Sequence, residues 1–332
     1  MRASLPAGGR RDRTARSDVH PVHRFHSWQV WPGSYDNPPA DGTFPCPPID
    51  RPRFDRSTPI AGIGSCFLRE VKDRLISVGS RFLVEESEKK ASRHASAAWE
   101  RLYNLFSVRQ VLEYSLADRV PAPRWWVAPV SGKIQDPYRR IVLYDTEAEA
   151  EADFADHRRR ACRVLTEART LVLTLDYVEV FEDRRTGAVV CLPSGPYVNE
   201  GGDLGSYRFR VSRYAENLAC LERIHGLLRA HNPECHLVLM VSPHGQWVTF
   251  RDDADVFSAS ENSKATLRAV ADEFVATHTG VSYFPAYEMA LLYRQTLGLP
   301  VFATGRENFH VNTDVLDYIM EQFFLWYGLA QR

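Results

Sequence analysis

Short, wholly apolar runs alternate along this chain with longer segments whose apolar residues recur every three or four positions. The stretch Pro59 to Leu68 opens like a buried strand, is expected to turn at Gly62 and Gly64, and continues as a helix with Phe67, Val71 and Leu75 on one face. Thr170–Leu175 and His236–Val241 read as two further buried strands, Ser80–Val84 as another, and Val281–Glu288 as a short strand and loop. Helical periodicity covers Ser96–Phe106 and runs on to Tyr114. It returns over Ala148–Thr166, over Ser212–His231, from Ser260 through Phe274, and over Thr313–Trp326. Between these, Arg124–Tyr144 reads as a hairpin or cap and Glu182–Gly187 as a hairpin turn. Val198–Tyr207 is a glycine-rich loop too irregular for a phosphate-binding motif.

Buried strands alternating with amphipathic helices predict an α/β fold with a mainly parallel central sheet and crossover helices. Sites in such sheets lie at the carboxyl ends of the strands. Four of those ends carry polar residues here: Cys66, Asp176 to Glu179, Ser242 to His244, and Glu288. Upstream, residues 1–20 are basic and polar and are expected to be disordered. Residues 21–58 are rich in Pro, Gly, His and aromatics, including Trp28, Trp31 and Tyr35. They are expected to form an irregular N-terminal arm packed on a domain spanning 59–332, where the arm could cover a site. No internal repeat is visible.

With 332 residues, 44% of them hydrophobic, the chain can form one large or two medium domains. A net charge of −1 gives no global field for nucleic acid or an anionic membrane, so neither is an expected partner. Only five of the 41 basic residues are lysines, and acidic residues interleave with the arginines throughout. Six cysteines (Cys46, Cys66, Cys162, Cys191, Cys220 and Cys235) are scattered without a C-x-x-C pair, which indicates neither a zinc site nor a disulfide framework. No apolar run is long enough to span a membrane, and the amino terminus lacks the apolar region of a signal peptide. A cytoplasmic protein with reduced thiols is expected.

Chemistry centres on Cys66, a thiol on a glycine-assisted turn between a strand and a helix. Unpaired amide hydrogens and a positive dipole at a helix start stabilise a thiolate or an oxyanion, and a nucleophile elbow exposes its side chain in the same way. The alternative is a buried cysteine that packs as a small hydrophobe. A nucleophilic thiol needs a base, and of the eleven histidines His244 and His310 fall at strand-end or pre-helix loops. His310 has the stronger case, because Glu307 three residues earlier can reach the far ring nitrogen and hold its tautomer. Asn104, an amide among apolar neighbours, needs hydrogen-bond partners or a functional role.

These pieces resemble the GSCFA-domain family, which is similar to the SGNH (GDSL-type) hydrolases. Ile63-Gly-Ser-Cys-Phe67 carries the signature, and Ser96–Asn104, Leu173–Glu179, Val241–Pro243, Asn262–Arg268 and Tyr283–Glu288 fit the family pattern in order. The resemblance implies a three-layer α/β sandwich. It places Cys66 where Gly-Asp-Ser carries the nucleophilic serine, and Glu307-x-x-His310 on the C-terminal Asp-x-x-His. A Cys66–His310–Glu307 triad is thereby implied, with Glu in place of Asp. The Gly-x-Asn-Asp block is replaced by Asp176-Tyr-Val-Glu179, so its oxyanion-hole asparagine is missing. Asn104 and backbone amides beside Cys66, at Ser65, are the expected substitutes. Tyr177, Glu179, Ser242, His244 and Glu288 are the expected substrate contacts.

A cysteine in this position forms a thioester, which is attacked readily by amines as well as by water. The favoured expectation is an acyltransferase that takes an acyl or aminoacyl group from a phosphopantetheine thioester, on a carrier protein or coenzyme A, to an amine or a sugar hydroxyl. No permanently bound cofactor is expected. Within the family, the triad composition resembles the condensing enzymes of lincosamide-type antibiotic assembly. The alternatives are an esterase or thioesterase and, from another class, a non-catalytic binding module on a degenerate hydrolase fold.

Overall fold

The computed structural model describes residues 26–34, 37, 39–47, 51–121 and 125–329. The basic tail, His20, His23 and Tyr35 lie outside the described residues. Two compact units are present, residues 1–49 and residues 50–332, and the described part of the first contains a single helical turn at Ser27–Gln29.

In the larger unit the elements follow in order: β1 (Ile60–Gly64), α1 (Phe67–Ser77), α2 (Leu105–Leu116), β2 (Trp126–Val127), β3 (Ile134–Gln135), β4 (Leu143–Tyr144) and α3 (Glu147–Glu167). Then come β5 (Thr170–Leu175), β6 (Glu179–Asp183), β7 (Val189–Val190), α4 (Pro196–Asn199), β8 (Tyr207–Val211) and α5 (Tyr214–His231). The chain closes with β9 (His236–Val241), α6 (Val256–Thr277), β10 (Val281–Tyr283), the short turns α7 (Ala286–Glu288) and α8 (Arg294–Thr296), and α9 (Thr313–Tyr327).

The central sheet has the order β1-β5-β9-β10, and every pairing in it is parallel. Strands β1 and β5 are buried along their whole length, as the apolar runs require. Helices α2, α3, α5 and α6 pack on one another in one layer, while α1 and α9 pair in the other. This is the three-layer α/β sandwich. Two small antiparallel sheets, β2-β3-β4 and β7-β6-β8, are added to it, the second continuing from β5 through Asp176–Val178. The hairpin reading of Arg124–Tyr144 and the turn at Glu182–Gly187 correspond to these sheets.

Three local expectations are corrected. Ser80–Val84 makes only a single-residue bridge, Phe82 to Ile60, before the chain turns away. The segment 96–104 is a loop, not the start of a helix. Its backbone runs along the edge of β1, with the Ser96 amide donating to the Gly62 carbonyl at 3.1 Å and the Leu102 amide to that of Gly64 at 2.8 Å. Helical bonding lost there to this edge pairing, and α2 starts only at Leu105, capped by Asn104. Gly62 does not turn but lies inside β1, where a Cβ would meet the Leu68 side chain at 2.7 Å.

Gly64 is where the backbone demands glycine. Its φ of 144° is open only to glycine, and a Cβ there would sit 2.6 Å from the Thr174 carbonyl oxygen. Because the obstruction is backbone in the middle of the central sheet, it cannot move aside. Gly64→Ala is expected to lower stability by about 3 kcal/mol or more, read as a fall in the urea midpoint, or to prevent soluble expression. A midpoint within about 1 kcal/mol of wild type would contradict this account of the turn.

Candidate active site

Cys66 stands one residue past the Gly64–Ser65 turn and caps the amino end of α1. Ser65, fully buried, donates its amide to Thr174 Oγ1 at 2.9 Å, so β1 and β5 together fix the direction in which Cys66 leaves the sheet. From the far end of the chain, the loop before α9 delivers His310. That loop is held by the one after β9: the Gly245 amide donates to the Phe309 carbonyl at 2.7 Å and the Val311 amide to His244 Nδ1 at 3.1 Å.

Cys66 Sγ then lies 3.7 Å from His310 Nε2, and His310 Nδ1 lies 3.5 Å from Glu307 Oε2. Residues 244 positions apart thus meet in the order thiol, imidazole, carboxylate. Glu307 is 77% exposed, whereas the thiol is half-buried. Burial, then the charge of Asp176, pushes the Cys66 thiol up to about 12, against the pull of Arg101 and Lys264. Asp176 is itself buried at the end of β5 against Lys264, and burial raises its carboxyl above the ordinary range despite that partner. At neutral pH the resting sulfur is therefore a thiol.

His244 completes the cluster. One ligand-type atom from each of Cys66, His244 and His310 lies within 4.8 Å of the others. Because His244 Nδ1 accepts from the Val311 amide, its proton belongs on Nε2. Burial, with His310 and Lys264 nearby, holds its pKa well below the ordinary imidazole value, so the ring stays neutral. It offers a donor at Nε2 rather than a lone pair, and a metal would first have to displace that proton. The arrangement suits proton transfer better than metal ligation.

A cleft of about 300 Å³ opens onto the sulfur, lined by Cys66, His310, Glu307, Tyr177 and Glu179 among others. Tyr177 and Glu179, two of the residues expected to contact substrate, therefore line the cleft. Tyr177 stacks on Tyr103 with ring centroids 5.1 Å apart. Glu179 accepts from Thr249 Oγ1 and from the Phe250 amide, which holds its carboxylate to the wall. Others are placed elsewhere. Ser242 is fully buried and its hydroxyl accepts from the His244 amide. Glu288 pairs with Arg268 at 2.6 Å and Tyr283 at 2.8 Å beside a separate surface pocket, because α7 carries it away from the end of β10.

The expected oxyanion donors are also corrected. Asn104 accepts from the Ser107 amide and donates to the Glu179 carbonyl at 3.1 Å, as a helix cap that ties α2 to β6. The Ser65 amide is engaged by Thr174. Helix geometry leaves the amides of Cys66 and Phe67 at the start of α1 as the remaining candidates. Sequence reading missed Arg101, Tyr103, Arg140, Phe181, Trp247 and Phe250, all of which line the cleft. Arg101 and Tyr103 stand inside the Ser96–Asn104 block, where a helical reading hid them; Arg140 left no signal.

Comparison with protein families matches the GSCFA family over residues 59–323. The chain belongs to the GSCFA family. Its signature is the turn just described, and the match reaches from β1 into α9. A search of curated proteins found no match. Among solved structures, the chain is similar to a carbohydrate esterase family 3 protein from Talaromyces cellulolyticus, at 8% identity and a TM-score of 0.36 over 82% of this chain and 100% of that one. It is similar also to a protein from Parabacteroides merdae described as a GDSL-like lipase, at 10% identity and a TM-score of 0.33 over 86% and 100%. A third is a carbohydrate acetylesterase family member from Sinorhizobium meliloti, at 12% identity and a TM-score of 0.28 over 82% and 99%. Among the described residues of this GSCFA-family chain, no helix is long and apolar enough to cross a membrane.

The raised thiol yields a direct test. Thiolate ultraviolet absorbance, taken as the difference between wild type and Cys66→Ala, is expected to stay flat from pH 5 to about pH 9 and to rise only above it. An absorbance step centred near or below pH 7 would show a resting thiolate–imidazolium pair and contradict the neutral ground state.

Proposed function

We propose that the protein is a cysteine-dependent acyltransferase that carries an acyl or aminoacyl group through a thioester on Cys66. The observation that carries this reading is the 3.7 Å approach of His310 Nε2 to the Cys66 sulfur within a cleft, with Glu307 on the far ring nitrogen. The donor is an acyl thioester of phosphopantetheine, on a carrier protein or coenzyme A. The acceptor is an amine or a sugar hydroxyl.

In the first half-reaction the thiol sulfur attacks the donor carbonyl while His310 Nε2 takes its proton. Glu307 orients the ring and stabilises the imidazolium. The amides of Cys66 and Phe67 are the groups best placed at the helix start to receive the developing oxyanion. Collapse expels the pantetheine sulfur, which takes the proton back from His310 and leaves acyl-Cys66. In the second half-reaction the amine attacks that thioester and gives its proton to His310. Cys66 departs as the leaving group and is reprotonated. Loading exchanges one thioester for another and is nearly isoenergetic; amide formation drives the cycle. Production of an amide for natural-product or saccharide assembly fits this chemistry.

Hydrolysis by the same triad is the second reading, and the exposure of Glu307 at the rim favours it by giving water a route to His310. The two are separated by partition. With an acyl-pantetheine donor and rising amine, transfer predicts that amide replaces free acid as the product. Free acid persisting at saturating amine would make the protein a thioesterase. His310→Ala is expected to lower kcat by about 1,000-fold, and Glu307→Gln by about tenfold, because an exposed carboxylate at 3.5 Å contributes less than a buried one. A Glu307→Gln loss as large as that of His310→Ala would contradict this ranking.

A further inference from the structure

The lining of the Cys66 cleft contains two guanidinium groups that the acyl-transfer scheme does not use. Arg101 Nε and Arg140 Nε each lie 2.8 Å from Glu100, one on each carboxylate oxygen, so a single buried side chain holds both. Glu100 stands at φ 63°, a left-handed conformation uncommon for a residue with a side chain, in the loop that follows the edge of β1. Such backbone strain persists only where the surrounding structure over-determines it, and it clusters at active sites and ligand clamps. Arg140 arrives from a different part of the fold, just before β4, and also approaches Ser194 Oγ at 3.4 Å.

Both arginines use Nε on Glu100 and Arg140 Nη1 faces Ser194, which leaves Arg140 Nη2 and the terminal nitrogens of Arg101 for the cleft they line. Two positive charges against one carboxylate leave a residue of one. Burial raises the Glu100 carboxyl, but Arg140 and Arg101 outweigh it and hold it below the ordinary range, so Glu100 stays ionised and the arginines stay anchored. The other carboxylates of the cleft stand apart from this pair: Glu179 is held by Thr249 and Phe250, and Glu307 faces His310. They would oppose a second negative charge. Aromatic side chains, Phe181, Trp247 and Phe250, line the same cleft.

We propose that Arg101 and Arg140, clamped by Glu100, form a subsite for a single carboxylate carried by the substrate, beside the reacting sulfur. Planar guanidinium groups suit a carboxylate, and the residual single charge matches a monoanion rather than a phosphate dianion. This deepens the proposed function by assigning a carboxylate-bearing substrate to the same cleft. It rests on that reading only for the identity of the reaction.

The test uses two alkylating reagents of nearly equal size, iodoacetate and iodoacetamide, on the full chain, with labelling of Cys66 followed by mass. Both depend equally on the thiolate fraction, so the ratio of their rates reports the charge of the subsite alone. Arg140→Gln and Arg101→Gln are each expected to lower the iodoacetate-to-iodoacetamide ratio by about tenfold, the effect of losing one charge-assisted hydrogen bond. In wild type, succinamate should slow iodoacetamide labelling, while succinamide and inorganic phosphate should not. An unchanged ratio in both variants, or equal protection by succinamide or by phosphate, would overturn the proposal. Where the protonated thiol resists both reagents, the triad is tested by acyl loading instead. The subsite is then decided by whether succinamate, but not succinamide, raises the melting temperature of wild type and not of Arg140→Gln.

Discussion

The structure depends on one close approach, that of Gly64 and Ser65 to Thr174. Parallel pairing brings β1 against β5 with Gly64 opposite Thr174, and the next amide, that of Ser65, is taken by the Thr174 hydroxyl. The chain can leave the sheet only by the turn that puts Cys66 at the start of α1. Everything the site requires follows from that exit: a sulfur at the carboxyl end of a central strand, helix-start amides beside it, and a fixed floor onto which a distant loop can lower a histidine. A side chain at Gly64 would push the two strands apart and remove the site together with the fold.

Electrostatics then decides how that sulfur behaves. Burial and Asp176 keep the thiol protonated, and burial, with His310 and Lys264 nearby, keeps His244 neutral. On the proposed mechanism, a sulfur protonated at rest needs its proton removed during attack rather than before it. A protonated thiol reacts slowly with casual electrophiles. The arginine pair on Glu100 adds local positive charge on the cleft wall, and Arg101 of that pair lowers the thiol without reversing the effect of burial.

Much of this was legible in the residues. The apolar runs at Thr170–Leu175 and His236–Val241 are strands to the residue, because a strand buried on both faces has no other way to be written. The Cys66 turn and the Glu307-x-x-His310 spacing were legible as local features, but only the family resemblance joined them into a set. What sequence could not show was competition between local and long-range bonding. Segment 96–104 has helical periodicity, yet its amides follow the edge of β1, which turned Asn104 from a presumed oxyanion donor into a helix cap. Glu288 and Ser242 carry suitable polar atoms, but nothing in their spacing reveals that one turns toward Arg268 and the other is sealed beneath His244. Arg140 reaches the cleft only because the small β2-β3-β4 sheet folds beside it, and no periodicity announces that.

The central claim is that acyl groups pass through Cys66, and intact-protein mass spectrometry after exposure to acyl-pantetheine thioesters tests it most directly. The account predicts a gain of one acyl mass on wild type, mapped to the Cys66 peptide, absent from Cys66→Ala and discharged on adding an amine. No mass gain with any donor, or an adduct that persists in Cys66→Ala, would contradict it and leave the chain a binding module.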